Sequence, residues 1–159
     1  MKALLQLAFF LHLFFATRLA AQWQPLPGPV GGYITCWAVT PSGVLYAGGA
    51  AGLFTSTDDG LTWQLLPGAA SLGHLPVQLD WDNGNLYMVG QDHNTYANVL
   101  WKSSDNGTTW VNILSNLHQV NGTMGVFDAK NDTIVVNTSD SHISLDGGTT
   151  WQPGPGGGR

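Results

Sequence analysis

Apolar residues along this chain come in short runs closed by turn-forming residues. Val44-Leu-Tyr-Ala-Gly48, Asn85-Leu-Tyr-Met-Val-Gly90 and Thr133-Ile-Val-Val-Asn137 are three such runs. A short loop and a second brief run follow the first two, Gly52-Leu-Phe-Thr55 and Val99-Leu-Trp-Lys102. Tyr33 to Val39, Val77 to Trp81 and Gly125 to Ala129 precede the three runs, separated from them by Pro41-Ser-Gly43, Asp82-Asn-Gly84 and Lys130-Asn-Asp132. Runs of this length, bounded by residues that accept positive φ or fix a bend, predict antiparallel strands joined by tight turns.

The only stretch of a different kind is the first. Lys2, an apolar run from Ala3 to Ala16 broken by Gln6 and His12, and Leu19-Ala20-Ala21 form the three regions of a secretory signal, with cleavage expected near Ala21. The run is short for a bilayer, so the remainder is expected to be secreted, extracellular or periplasmic, with no membrane attachment after cleavage.

A repeat organises the rest of the chain. Ser56-Thr-Asp58-Asp-Gly60-Leu-Thr62-Trp63, Ser103-Ser-Asp105-Asn-Gly107-Thr-Thr109-Trp110 and Ser144-Leu-Asp146-Gly-Gly148-Thr-Thr150-Trp151 share five residues at fixed positions, 47 and 41 residues apart. That period suits a four-stranded propeller blade. Each octapeptide makes sense as a turn between a third and a fourth strand: Asp accepts backbone N–H bonds, Gly supplies positive φ, the hydroxyls tie the flanks and Trp covers the loop.

The motif S-x-D-x-G-x-T-W resembles the Asp box, or bacterial neuraminidase repeat, and covers nearly all of the chain past the signal. The resemblance implies an all-β fold, a partial β-propeller of about three four-stranded antiparallel blades, at about 30–66, 76–114 and 124–152 within a domain at 22–152. Asp boxes occur in sialidases, xyloglucanase-type glycoside hydrolases, sortilin-like receptors and photosystem II assembly and stability factors. The context Leu45-Tyr-Ala-Gly-Gly-Ala-Ala-Gly-Leu-Phe-Thr-Ser-Thr-Asp-Asp-Gly-Leu-Thr-Trp63 is similar to secreted relatives of the last group. Trp23-Gln-Pro-Leu-Pro-Gly28 echoes Trp63-Gln-Leu-Leu-Pro-Gly68, so residues 23–27 are expected to be a closing strand, and 153–159 a Gly/Pro-rich tail. A ring closes with at least four blades, so either the chain is part of a longer one or copies self-associate to complete it.

Composition narrows the function. Charged residues make up 9% of the chain, and all ten acidic residues are Asp. Without Glu and with few Lys or Arg, helix-forming charge pairs are missing and a helical bundle is excluded. Beyond residue 21, three basic residues face ten Asp, a formal charge of −7, with no basic cluster, so nucleic acid and anionic membranes lack an electrostatic basis for binding. Cys36 is the only cysteine and is expected to be a small buried strand residue.

The repeated aspartates are expected to be structural, because each points into its own loop and an acid/base pair must converge on one substrate. Sialidase resemblance would imply an arginine triad and a Tyr/Glu pair, whereas the chain past the signal has one Arg, Arg159, and no Glu. Xyloglucanase resemblance would imply two cleft-lining Asp, for which Asp80, Asp128 and Asp140 are candidates. No nucleophile elbow, HExxH helix or phosphate loop is present, and no cofactor or metal is expected. Strand directions put His74, His93, His118 and His142 on the end opposite the Asp boxes, with Asp92, Tyr96 and Asp140, which makes that end the candidate binding face. Trp37, Trp81 and Trp101 are expected to pack between blades or to line a carbohydrate surface. The expected function is a non-catalytic scaffold for a protein or carbohydrate ligand; the alternative is the N-terminal part of a propeller glycoside hydrolase.

Overall fold

The computed structural model describes residues 25–92, 94–115, 117, 124, 126–137 and 140–154. It contains three four-stranded antiparallel sheets, each with its strands in chain order. Blade one is β1 (Ile34–Val39), β2 (Leu45–Gly49), β3 (Gly52–Ser56) and β4 (Gln64–Leu65). A single helical turn, α1 (Pro67–Ala70), leads into blade two: β5 (His74–Asp82), β6 (Asn85–Asp92), β7 (Asn98–Ser103) and β8 (Val111–Asn112). Blade three is β9 (Val126–Lys130), β10 (Thr133–Asn137), β11 (Ser141–Ser144) and β12 (Gln152–Pro153). Among the described residues the fold is all-β apart from α1, and the sheets are partial-propeller blades.

Alternation along each strand divides its residues between two faces, and the register makes the blades superimpose position by position. Trp37, Ala47, Phe54 and Leu65 stand in one cross-strand row of blade one. Leu79, Met88, Trp101 and Asn112 form the matching row of blade two, and Phe127, Val136, His142 and Pro153 that of blade three.

Two apolar cores lie between the sheets. Cys36, Ala38, Tyr46 and Leu53 of blade one meet Leu79, Leu86 and Met88 of blade two, with Trp81, Trp101 and Trp110 packed at the edge. Tyr87, Val89 and Leu100 of blade two meet Phe127, Ala129, Ile134 and Val136 of blade three, joined by Ile113 and Leu114. Burial raises the Cys36 thiol pKa, which keeps this free cysteine in its protonated apolar form.

Residues 25–27 of the expected closing strand lie in none of the described strands, while 23 and 24 lie outside the described residues. Between the fourth strand of blade one and the first of blade two, Pro67 starts a helical turn where its missing N–H costs nothing, and His74 already belongs to β5. The tryptophans also part company. Trp81 and Trp101 pack between blades, but Trp37 is 70% exposed on a strand face.

Candidate functional site

The Asp boxes occupy the turns between the third and fourth strands, and their hydrogen bonds repeat almost atom for atom. Ser56, Ser103 and Ser144 are buried; each donates its hydroxyl to Oδ1 of the Asp two residues on, at 2.8 Å. The same serine oxygen accepts the amide of Gly60, Gly107 or Gly148 at 2.8–3.0 Å. Each Asp accepts the amide of Thr62, Thr109 or Thr150 on Oδ1 at 2.8 Å and the hydroxyl of that Thr on Oδ2 at 2.6 Å.

Both carboxylate oxygens of each box are therefore occupied within the turn. The Thr hydroxyl, the Thr amide and the Ser hydroxyl hold the Asp58 carboxyl below its ordinary range and bring Asp105 and Asp146 to about 2. The turn needs two consecutive positive-φ residues: Asp59 (58°) and Gly60 (85°), Asn106 (57°) and Gly107 (86°), Gly147 (67°) and Gly148 (92°). Asp and Asn tolerate the first position, which is why Gly is shared only at the second.

The third box differs in its neighbours. Trp63 and Trp110 donate their indole N–H to the Gly60 and Gly107 carbonyls, but Trp151 donates to the Ile113 carbonyl of blade two. Lys102 reaches across to the Gly147 carbonyl at 3.1 Å, and its ammonium stands 5.7 Å from the Tyr87 ring centroid. Here the bare Gly147 matters, since a Cβ at that position would lie 2.7 Å from the Lys102 nitrogen.

The residues expected on the opposite end are only partly brought together. His74 opens β5 directly across from Asp92 at the end of β6, hydrogen-bonds the Leu72 carbonyl through Nδ1 at 2.6 Å and packs edge-on to Trp101. Asp92 is a turn residue rather than a free ligand: its Oδ1 accepts the Asn94 and Thr95 amides and the Thr95 hydroxyl, the Thr95 amide being the main cause of its lowered pKa. Tyr96 sits in that loop at φ 57° with its ring exposed. His142 lies within β11 rather than in a loop, and Asp140 just precedes it. His93 and His118 lie outside the described residues. No group of three or more His, Cys, Asp or Glu able to hold a metal occurs among the described residues.

A groove of about 240 Å³ opens at this end between blades one and two, lined by Gly49 to Leu53, Ala69 and Ala70 of blade one and by Gly73 to Pro76 at the start of blade two. Its walls are backbone and small side chains, with His74 the one titratable lining group. A second groove, about 440 Å³, runs between blades two and three near the Asp boxes, lined by Asn85, Lys102, Ser104, Val111 and Gly147 to Thr149 among others. Sequence reading missed Lys102 here; its cue was that it is one of three basic residues beyond residue 21 in a strongly acidic chain.

Among the cleft candidates, Asp80 is half-buried, accepts the Trp81 amide at 2.8 Å and has its pKa raised by burial, with nearby Asp128 and Asp82 adding to the effect. Asp128 is exposed on the outer side of blade three.

Residues 142–153 match the BNR/Asp-box repeat family. No curated protein matches the sequence. Among solved structures, the chain is similar to YCF48 from Cyanidioschyzon merolae, with TM-score 0.63 and 15% identity, over 82% of this chain and 39% of that one. It is also similar to YCF48 bound to a D1 peptide, with TM-score 0.62 and 17% identity, over 83% and 44% of the two chains. The Niastella koreensis GH74 enzyme is similar over 69% of this chain and 19% of its own, with TM-score 0.54 and 23% identity. The chain thus spans less than half the length of each of these structures. What this chain shares with these structures is the propeller fold.

Proposed function

We propose that this chain is a secreted, non-catalytic propeller segment of a longer protein, and that its histidine-bearing end binds an extended polypeptide. The observation that carries the reading is the occupation of both oxygens of all three Asp-box carboxylates, which takes the repeated acids out of chemistry. The groove between blades one and two is small for enclosing a compact ligand of drug size, yet open and lined by backbone that an extended chain can follow. One structural neighbour holds a peptide, which supports the same choice of partner.

The test is a paired assay on the secreted protein. Extended peptides displayed on an array should be retained and His74→Ala should weaken retention severalfold, while xyloglucan and sialosides are neither bound nor hydrolysed. Hydrolysis of xyloglucan that is abolished by Asp80→Asn would replace the scaffold with the hydrolase reading, which the raised Asp80 pKa favours.

A further inference from the structure

Among the described residues two asparagines precede a glycine, and both pairs lie in turns. Asn83–Gly84 joins β5 to β6 and is closed by the pairing of Asp82 with Asn85, while Asn106–Gly107 belongs to the Asp box of blade two. Both asparagines have left-handed φ, 47° and 57°, and the glycines follow at 81° and 86°. Backbone conformation therefore does not separate the pairs. What separates them is the state of the glycine amide.

An asparagine before glycine is chemically labile, because a nitrogen with no side chain beside it can reach the asparagine side-chain carbonyl. The Gly107 amide is taken: it donates at 2.8 Å to the buried Ser103 hydroxyl, Gly107 is itself buried, and a Cβ there would lie 2.8 Å from Leu66 Cδ1. Gly84 is exposed, its amide donates to no described residue, and a Cβ there would meet no atom within 4 Å. Opening the turn to bring nitrogen and carbonyl together breaks no bond of the Gly84 amide, whereas at Gly107 it strips a buried amide of its acceptor.

Asn83 also stands on a seam between blades. Its Nδ2 faces Oδ2 of Asp132 in the β9–β10 turn at 3.5 Å, and the Asn131 amide of that turn donates back to Oδ2 of Asp82. The Asp132 carbonyl in turn accepts the Gly147 amide of the third Asp box at 2.8 Å.

We infer that Asn83 is a self-modification site: its spontaneous deamidation turns the donor that faces Asp132 into a like charge and loosens the seam between blades two and three, while Asn106 stays intact in the folded protein. The Gly84 nitrogen, its proton taken by hydroxide, attacks Asn83 Cγ. The N–Cγ bond forms, the Cγ–Nδ2 bond breaks, and Nδ2 leaves as ammonia with a proton from water, which restores the hydroxide. Water then adds to one carbonyl of the resulting five-membered imide and breaks its bond to nitrogen. The product is aspartate or, with the backbone rerouted through Cβ, isoaspartate; water enters, ammonia leaves and nothing is oxidised. Isoaspartate adds a backbone atom to a two-residue turn and disturbs the Asp82–Asn85 pairing as well.

Incubating the purified protein in mildly alkaline buffer, then mapping its peptides by mass spectrometry with fragmentation that separates aspartate from isoaspartate, tests this. In the folded protein Asn83 should convert at least ~10-fold faster than Asn106, and in urea the two rates should converge to within about twofold. Equal rates in the folded protein, or a faster Asn106, would overturn the proposal. So would a gap that persists in urea, because the local sequence and not the fold would then set it. Asn83→Asp, which copies the aspartate product, should lower Tm by roughly 1–4 °C at low ionic strength and by less than about half as much in molar salt. An unchanged Tm, or a loss that salt does not reduce, would contradict the like-charge seam.

Discussion

Blade two and its two neighbours are built on one register but live in different surroundings. Tyr87 and Met88, adjacent on β6, are each fully buried, one against blade three and the other against blade one. On the outer faces of the stack Trp37, in the blade-one row that corresponds to that of Met88, is 70% exposed beside buried Ala47 and Phe54, and Val135, in the row corresponding to that of Tyr87, is 38% exposed. A propeller blade has no solvent side of its own, so exposure at these positions measures what is packed against it rather than what the strand sequence favours.

The comparison is broken most directly by truncating equivalent residues. Phe127→Ala should cost about 3–5 kcal/mol in chemical denaturation, because it empties the core between blades two and three. Trp37→Ala, in the corresponding row, should stay within about 0.5 kcal/mol in this chain. A large loss at Trp37 would mean that the open face is already covered.

Next come the turns. Ser103→Ala removes the acceptor of the buried Gly107 amide and should destabilise by about 1–3 kcal/mol, with the equivalent changes at Ser56 and Ser144 of similar size.

Titration sharpens the contrast between turn and core. The box carboxyls have lowered folded-state pKa values, so their contribution is present above the unfolded carboxylate range and is lost as pH falls from about 4 towards 2. Tyr87 behaves oppositely. Burial, with Asp132, Asp82 and Asp80 nearby, pushes its phenol up to about 12, so its contribution is present below pH 10 and is lost as pH rises towards 12. Thermal denaturation across pH should show both flanks, and Tyr87→Phe should flatten the alkaline one. The smallest effect is expected at Gly147→Asn. Asn accepts the 67° φ, and its Cβ displaces only the flexible end of Lys102, for a loss under about 1 kcal/mol by the same denaturation assay.

What the sequence discloses of this molecule depends on where the information sits. The Asp box is local: five residues within eight specify a turn, so the repeat and the inward-pointing carboxylates follow from spacing, while the propeller fold is what the resemblance implies. The helical turn at Pro67 is too short to leave a pattern, and its position depends on packing between blades one and two. Leu66 and Ile113 are visible as apolar residues three after a Trp, but the glycines they pack against, Gly107 and Gly148, lie 41 and 35 residues further on, a relation only the stacked blades reveal. Strand direction groups the candidate face, and in the structure His74 pairs with Asp92 across β5 and β6. It says nothing of the Thr95 amide that turns Asp92 into a loop anchor.

The central claim is that the repeated carboxylates build turns and are not available for chemistry. Carboxyl resonances of Asp58, Asp105 and Asp146, followed by NMR through an acid titration, test it most directly. Asp105 and Asp146 should titrate at about 2 and Asp58 below its ordinary value. Any of the three titrating at or above the ordinary aspartate value would contradict the account, because that carboxylate would be free of the bonds assigned to it.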